Sequence, residues 1–120
     1  MKPPLDYIIS KPVYSVNEDD TVQKASEIMT TNGIKKILVK DKDGKPIGVL
    51  EAWKITPKDY PKKVKDIPLG KIQLMPNNSD FESVRKALGF ASAVYITDPA
   101  SANAIIGVVT SSDIVKAASY

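Results

Sequence analysis

Cysteine and histidine are both absent from this chain of 120 residues. The first absence excludes disulfides, thiolate catalysis and a cysteine-held zinc site. The second removes the commonest general base and metal ligand. Arginine occurs once (Arg85) and tryptophan once (Trp53). No apolar run approaches the roughly 20 residues that span a bilayer, so no membrane association is expected. The opening Met-Lys-Pro-Pro-Leu-Asp lacks the apolar core of a secretory signal, which makes the cytoplasm the expected location.

What is present is ordinary for a globular protein. Hydrophobic residues make up 42% and charged ones 26%, suiting one compact domain or two small units that share a core. The net charge of +3 is unevenly spread: 11 of the 17 basic residues lie between Lys35 and Lys71, against five acidic ones. Such a patch suits phosphates or nucleic acid, yet it equally describes lysines solvated around a hairpin and a linker. With one arginine, and only Trp53 and Tyr60 among the lysines, base reading and base stacking have few of their usual side chains. Nucleic acid is therefore not the expected partner.

The chain repeats itself. Val13-Tyr14-Ser15-Val16 aligns with Ile72-Gln73-Leu74-Met75, Val22 with Phe81, and Gly48-Val49-Leu50 with Gly107-Val108-Val109, all at an offset of 59. Ile37-Leu38-Val39 matches Val94-Tyr95-Ile96 at 57, so small length changes fall where loops belong. In the first repeat, Val13–Val16 reads as a strand and Asn17–Thr21 as a capping segment. Val22, Ala25, Ile28 and Met29 form the apolar stripe of a helix, ended by Asn32-Gly33. Ile37–Val39 and Ile47–Leu50 are strands joined by the turn Asp41–Gly44; a shorter helix from about Ala52 is stopped by Pro57. The second repeat predicts strand 72–75, helix 80–88, strands 93–97 and 104–109, and helix 111–118. Residues 1–60 are the first repeat with its entry segment; 61–120 hold the connector, 58–66 in its widest extent, and the second repeat. Neither half buries much core alone, so the halves are expected to pack sheet to sheet as one α+β or α/β module.

Gly107–Val115 is the most specific stretch. A strand runs into a helix there, with Thr110 and Asp113 three residues apart in the first turn. A helix start offers unpaired N–H groups to an anion, and a carboxylate accepts two hydrogen bonds from a vicinal diol such as a ribose. The same spacing serves as a capping box that needs no ligand. Both readings stand on spacing alone.

The order strand-helix-strand-strand-helix, given twice, together with Asp41-x-x-Gly44, Gly48-Val49-Leu50 and Gly107-x-x-Thr110-x-x-Asp113, resembles a tandem pair of cystathionine β-synthase (CBS) domains, or Bateman module, from about Leu5 to Ala118. The resemblance implies two pseudo-symmetric β-α-β-β-α repeats with two clefts, and binding of AMP, ADP, ATP or S-adenosylmethionine. It gives Asp113 the ribose hydroxyls and Thr110 the ribose or phosphate, with Ser111 and Ser112 as further donors. Ile9, Ser10, Pro12, Val13, Tyr14 and Val108 would wall the adenine. The symmetric cleft, lined by Ile72, Leu74 and Met75, has Glu51 in place of Thr110 and Lys54 in place of Asp113. Lysine has no acceptor for a diol and glutamate repels phosphate, so this cleft is expected to be degenerate. Lys35 and Lys36 are candidate phosphate contacts.

These readings favour a non-catalytic regulatory module that senses an adenosine-type ligand, pairs into a homodimer and acts on a protein partner in trans. No cofactor and no metal are expected. An assembly module with vestigial clefts is the alternative. An enzyme is disfavoured, because the chain has no Gly-x-x-x-x-Gly-Lys phosphate loop and no carboxylate cluster suited to a metal pair.

Overall fold

The computed structural model describes residues 5–117. These form two compact units: Tyr14–Gly70 is one, and the residues up to Val13 join those from Lys71 onward in the other. The architecture is α+β, with a three-stranded mixed sheet in each unit.

In Tyr14–Gly70 the strands are β1 (Ser15–Asn17), β2 (Lys36–Lys40) and β3 (Pro46–Glu51), with helix α1 (Val22–Asn32) between the first two. β1 runs parallel to β2, and β3 antiparallel to it. Thr21 caps α1 by accepting from Lys24 N–H at 3.1 Å. Gly33 ends the helix at φ 64°, its N–H turned back on Met29 and Thr30, a left-handed conformation that glycine adopts without a Cβ penalty. The apolar stripe predicts the buried face, since Val22, Ala25 and Met29 pack with Ile37, Val39 and Leu50. In the β2–β3 turn, Asp41 Oδ1 accepts from Asp43 and Lys45 N–H, each at 2.9 Å.

Three expectations are corrected here. β1 starts at Ser15, not Val13: Pro12 has no N–H for a ladder, and the chain first meets β2 where Leu38 N–H donates to Tyr14 O at 3.3 Å. The second helix of this repeat is a single 3-10 turn, Ala52–Lys54. Pro57 opens a fresh turn, Pro57–Asp59, and Asp59 reaches back to accept from Thr56 N–H at 3.0 Å. The connector is also part of the fold. Val64 is fully buried and Ile67 is buried in the same core, while Val64 N–H donates to Asp20 O at 2.8 Å.

The other unit carries β4 (Ile72–Pro76), α2 (Phe81–Ala87), β5 (Ala93–Asp98), β6 (Ala104–Val109) and α3 (Ser111–Ala117). Again the first pair of strands is parallel and the second antiparallel. Asp80 caps α2, accepting from Ser83 N–H at 2.7 Å; this bond holds its carboxyl below the ordinary aspartate value. Ala118, the expected last residue of α3, lies outside the described residues. Leu5 and Ile8, from the start of the chain, are buried with Phe81, Val84, Ile96, Val109 and Ala117. Truncating a core residue such as Val84 to alanine costs on the order of 1–3 kcal/mol, through lost burial and the cavity left behind.

The two units share one device. Ser10 pairs antiparallel with Val108, and Gly70 pairs antiparallel with Val49. In both, a glycine of the strand lies under the incoming chain: a Cβ on Gly107 would overlap Ile9 Cγ2, and one on Gly48 would stand 2.9 Å from Leu69 Cβ.

Candidate functional site

The incoming segment places Ser10 beside the start of α3. Ser10 N–H donates to Val108 O at 2.9 Å and Val108 N–H to Ser10 O at 3.2 Å. This pairing leaves the Ser10 hydroxyl 3.2 Å from Asp113 Oδ1, to which it donates. The other oxygen of Asp113 accepts from Thr110 N–H at 2.8 Å and from Thr110 Oγ1 at 3.3 Å. With the Thr110 proton directed at Asp113, the Ser112 hydroxyl is the donor of the 2.9 Å bond between Ser112 Oγ and Thr110 Oγ1. Four residues therefore form one connected network of hydroxyls around a carboxylate only 7% exposed.

The Thr110–Asp113 geometry is the capping arrangement that the spacing allowed. It does not exhaust the carboxylate. An ionised aspartate has about four lone-pair sites; Oδ2 meets two donors and Oδ1 one. Oδ1 thus keeps an acceptor position, and the Ser10 hydroxyl beside it keeps lone pairs of its own.

The remaining expected site residues are scattered around this network. Ser111 is the exposed first residue of α3. Val108 is half-buried, its backbone engaged by Ser10, and Ile9 is half-buried over Gly107. Pro12 is exposed and Val13 half-buried. Tyr14 belongs to the Tyr14–Gly70 unit and packs against that unit's core.

In the Tyr14–Gly70 unit the corresponding positions are built differently. Gly70, which has no hydroxyl, pairs with the strand where Ser10 does in the other unit. Glu51 is buried, at 6% exposure. Its Oε1 lies 3.7 Å from Lys54 Nζ, and its Oε2 accepts from Trp53 Nε1 at 2.6 Å. Glutamate and lysine thus satisfy one another locally. Trp53, which the spacing of the motif does not single out, is the missed participant; its signal was an aromatic inside the Glu-x-x-Lys segment. Lys36 stands opposite Glu51 in the β2–β3 register, while Lys35 is exposed and its carbonyl accepts from Ala52 N–H at 2.8 Å. Ile72, Leu74 and Met75 lie on β4 of the other unit, where Met75 packs on the core and Leu74 is 44% exposed. A separate open cavity of about 390 Å³ lies between α1 and the 3-10 turns, lined by Met29, Thr30, Ile34, Ile55 and Tyr60 among others.

Residues 6–56 match the family model for the CBS domain. The chain therefore contains a stretch similar to a CBS domain. Its fold is that of a CBS-domain pair: the pair from protein MJ0100, solved in complex with 5′-methylthioadenosine and S-adenosyl-L-methionine, superposes with a TM-score of 0.74 at 21% identity, over 97% of this chain and 95% of that one. A hemolysin-like CBS-containing protein of Oenococcus oeni PSU gives a TM-score of 0.73 at 18% identity, over 88% and 80% of the two chains. In sequence, 116 residues are 27% identical to inosine-5'-monophosphate dehydrogenase of Methanocaldococcus jannaschii. The alignment takes in 96% of this chain but 23% of that enzyme's length. Among the described residues, no helix is long and apolar enough to cross a membrane.

Proposed function

We propose that this CBS pair is a non-catalytic regulatory module that binds an adenosine-containing ligand, of the AMP, ADP, ATP or S-adenosylmethionine type, at the Ser10–Thr110–Ser112–Asp113 network. The observation that carries the reading is the carboxylate of Asp113, nearly buried yet with an acceptor position left beside an uncommitted pair of Ser10 lone pairs. A vicinal diol needs two neighbouring acceptors, and Asp113 Oδ1 with Ser10 Oγ supplies them. The serine and threonine hydroxyls alongside suit a phosphate or a carboxylate of the ligand. The adenosine-type ligands of the MJ0100 pair support the same chemical class.

The ligand acts by binding one arrangement of the module more tightly than another, and shifts the balance only by that difference. Its readout is a protein partner regulated in trans, with a homodimer as the working form and the cytoplasm as the location. A chain without histidine, cysteine or a phosphate loop leaves the nucleotide unchanged. A thermal-shift screen with AMP, ATP and S-adenosylmethionine tests the reading: a saturable rise in melting temperature with at least one of them is expected, and no rise with any contradicts it.

A second reading, an assembly module with vestigial clefts, is favoured by one observation. Three donors of the protein already meet Asp113, and Glu51 and Lys54 meet each other. It predicts self-association that is indifferent to nucleotides.

A further inference from the structure

The second helix of the Tyr14–Gly70 repeat is reduced to one 3-10 turn, and the loss leaves a groove. In the other unit α3 lays Ile114 and Ala117 over the core beside Val84 and Ala87 of α2. Here the open cavity of about 390 Å³ lies along α1 instead. Its floor is apolar: Met29 is buried, and Ile34, Ile55 and Tyr60 pack on the same core. A second open cavity, of about 240 Å³, shares Ser26, Thr30 and Tyr60 with the first. The two are lobes of one groove. On α1 the smaller lobe begins at Gln23 and the larger at Ser26, a shift of about one helical turn.

The smaller lobe has one charged side chain among its described lining, Glu27. That carboxylate accepts from Gln23 Nε2 at 3.3 Å and joins no ion pair among the described residues. The groove therefore suits an apolar group and a cation set one turn apart.

The end of α2 presents that pair. The coil continues past Ala87, with Leu88 N–H donating to Val84 O at 3.2 Å and Ala91 N–H to Ala87 O at 2.9 Å. Lys86 and Phe90 thus stand at i and i+4, on one side of the coil. Phe90 is 72% exposed. Arg85 is engaged by Glu82 at 2.8 Å, whereas Lys86 is exposed and joins no ion pair among the described residues. Because Phe90 stays exposed in its own chain, the match is made between copies.

We propose that the end of α2 of a second copy docks along α1, with Phe90 of that copy in the apolar lobe and Lys86 of that copy against Glu27. An aromatic anchor in a pocket carries most of such a contact's energy, and the charge pair fixes its register. The proposal rests on the homodimer reading and names its surface; it uses none of the residues of the Asp113 network.

Sedimentation equilibrium over a dilution series tests it on the wild type, Phe90→Ser, Lys86→Glu, Glu27→Lys and the double reversal Lys86→Glu/Glu27→Lys. Melting temperatures of the diluted, monomeric proteins check that each variant folds. Phe90→Ser should weaken self-association at least about tenfold, as truncating an aromatic anchor does. Each single reversal should weaken it severalfold, and the double reversal should return it to within about threefold of the wild type, the signature of a coupled pair. A wild type that stays monomeric throughout contradicts the homodimer reading and this contact with it. A wild-type dimer that Phe90→Ser leaves equally tight, or a double reversal no tighter than the weaker single one, overturns the contact and leaves the homodimer reading standing.

Discussion

The Ser10 hydroxyl donates to Asp113 Oδ1 at 3.2 Å, joining two residues 103 positions apart. The backbone of Ser10 is itself held by an isolated antiparallel bridge to Val108, so the hydroxyl arrives at the carboxylate from a backbone position fixed by two hydrogen bonds. The bond is longer than the 2.7–2.8 Å usual for O–H···O. Ser10→Ala is expected to lower stability by no more than about 1 kcal/mol, the worth of a typical hydrogen bond. The same change should weaken an adenosine ligand about threefold to tenfold. Calorimetry beside urea denaturation separates the two effects.

The crossing of Ile9 over Gly107 makes a sharper prediction. Gly107→Ala would place its Cβ on Ile9 Cγ2, so that Ile9 or the backbone must shift, and should cost about 2 kcal/mol as overpacking. In an Ile9→Ala background the same change should cost well under half as much, because the atom in the way is gone. At Gly48 the obstructing atoms are Leu69 Cβ and the Gly70 carbonyl, which Leu69→Ala leaves in place. The rescue should therefore work in one unit and fail in the other, as double-mutant cycles by urea denaturation would show.

Stability should hardly change with pH near neutrality. The chain has no histidine or cysteine, the side chains that ordinarily titrate there. Below that window the capping carboxylates matter. The Ser83 N–H at Asp80, the Thr56 N–H at Asp59 and the Lys65 ammonium at Asp19 each hold the carboxyl below its ordinary value of 3.8. A carboxyl depressed on folding contributes stability above its unfolded pKa, and that contribution is lost as pH falls through the folded one. The melting temperature should be flat from about pH 5.5 to 8 and decline below about pH 4. A midpoint of loss near pH 6.5 would contradict this.

Much of the fold was legible because local signals agreed with the packing. The stripe from Val22 to Met29, the glycine at 33 and the Asp41–Gly44 turn each have one cheap conformation, and the repeat of Gly48 at Gly107 marked two copies of one unit, though not the chain segments that cross over those glycines. What stayed hidden was non-local. Val64 and Ile67 sit in a lysine-rich stretch that reads as solvated, and it is long-range backbone pairing, the Thr21–Lys63 bridge with the bonds from Val64 N–H to Asp20 O and from Lys65 N–H to Glu18 O, that draws them into the core. The short helix at Ala52 looked longer because its apolar spacing says nothing of the new turn that Asp59 starts. At the candidate site the Thr110–Asp113 cap was legible by spacing, whereas Ser10 was named only as a wall residue through the resemblance and its bond to Asp113 was not foreseen. Nor was Trp53, since its role comes from Glu51 being buried, which sequence does not reveal.

The claim on which the rest depends is that Asp113 holds a ligand's diol in addition to tying down Thr110. Calorimetry with AMP, ATP and S-adenosylmethionine on wild type and Asp113→Asn tests it, since asparagine keeps one acceptor and the shape while losing the charge. Binding at the Asp113 network at least about tenfold weaker, with the melting temperature within a few degrees, is the expected result, in line with the 1.5–3 kcal/mol of a hydrogen bond to a charged group. Undiminished affinity at that network, with only the melting temperature lowered, would show that the carboxylate is a helix cap and nothing more.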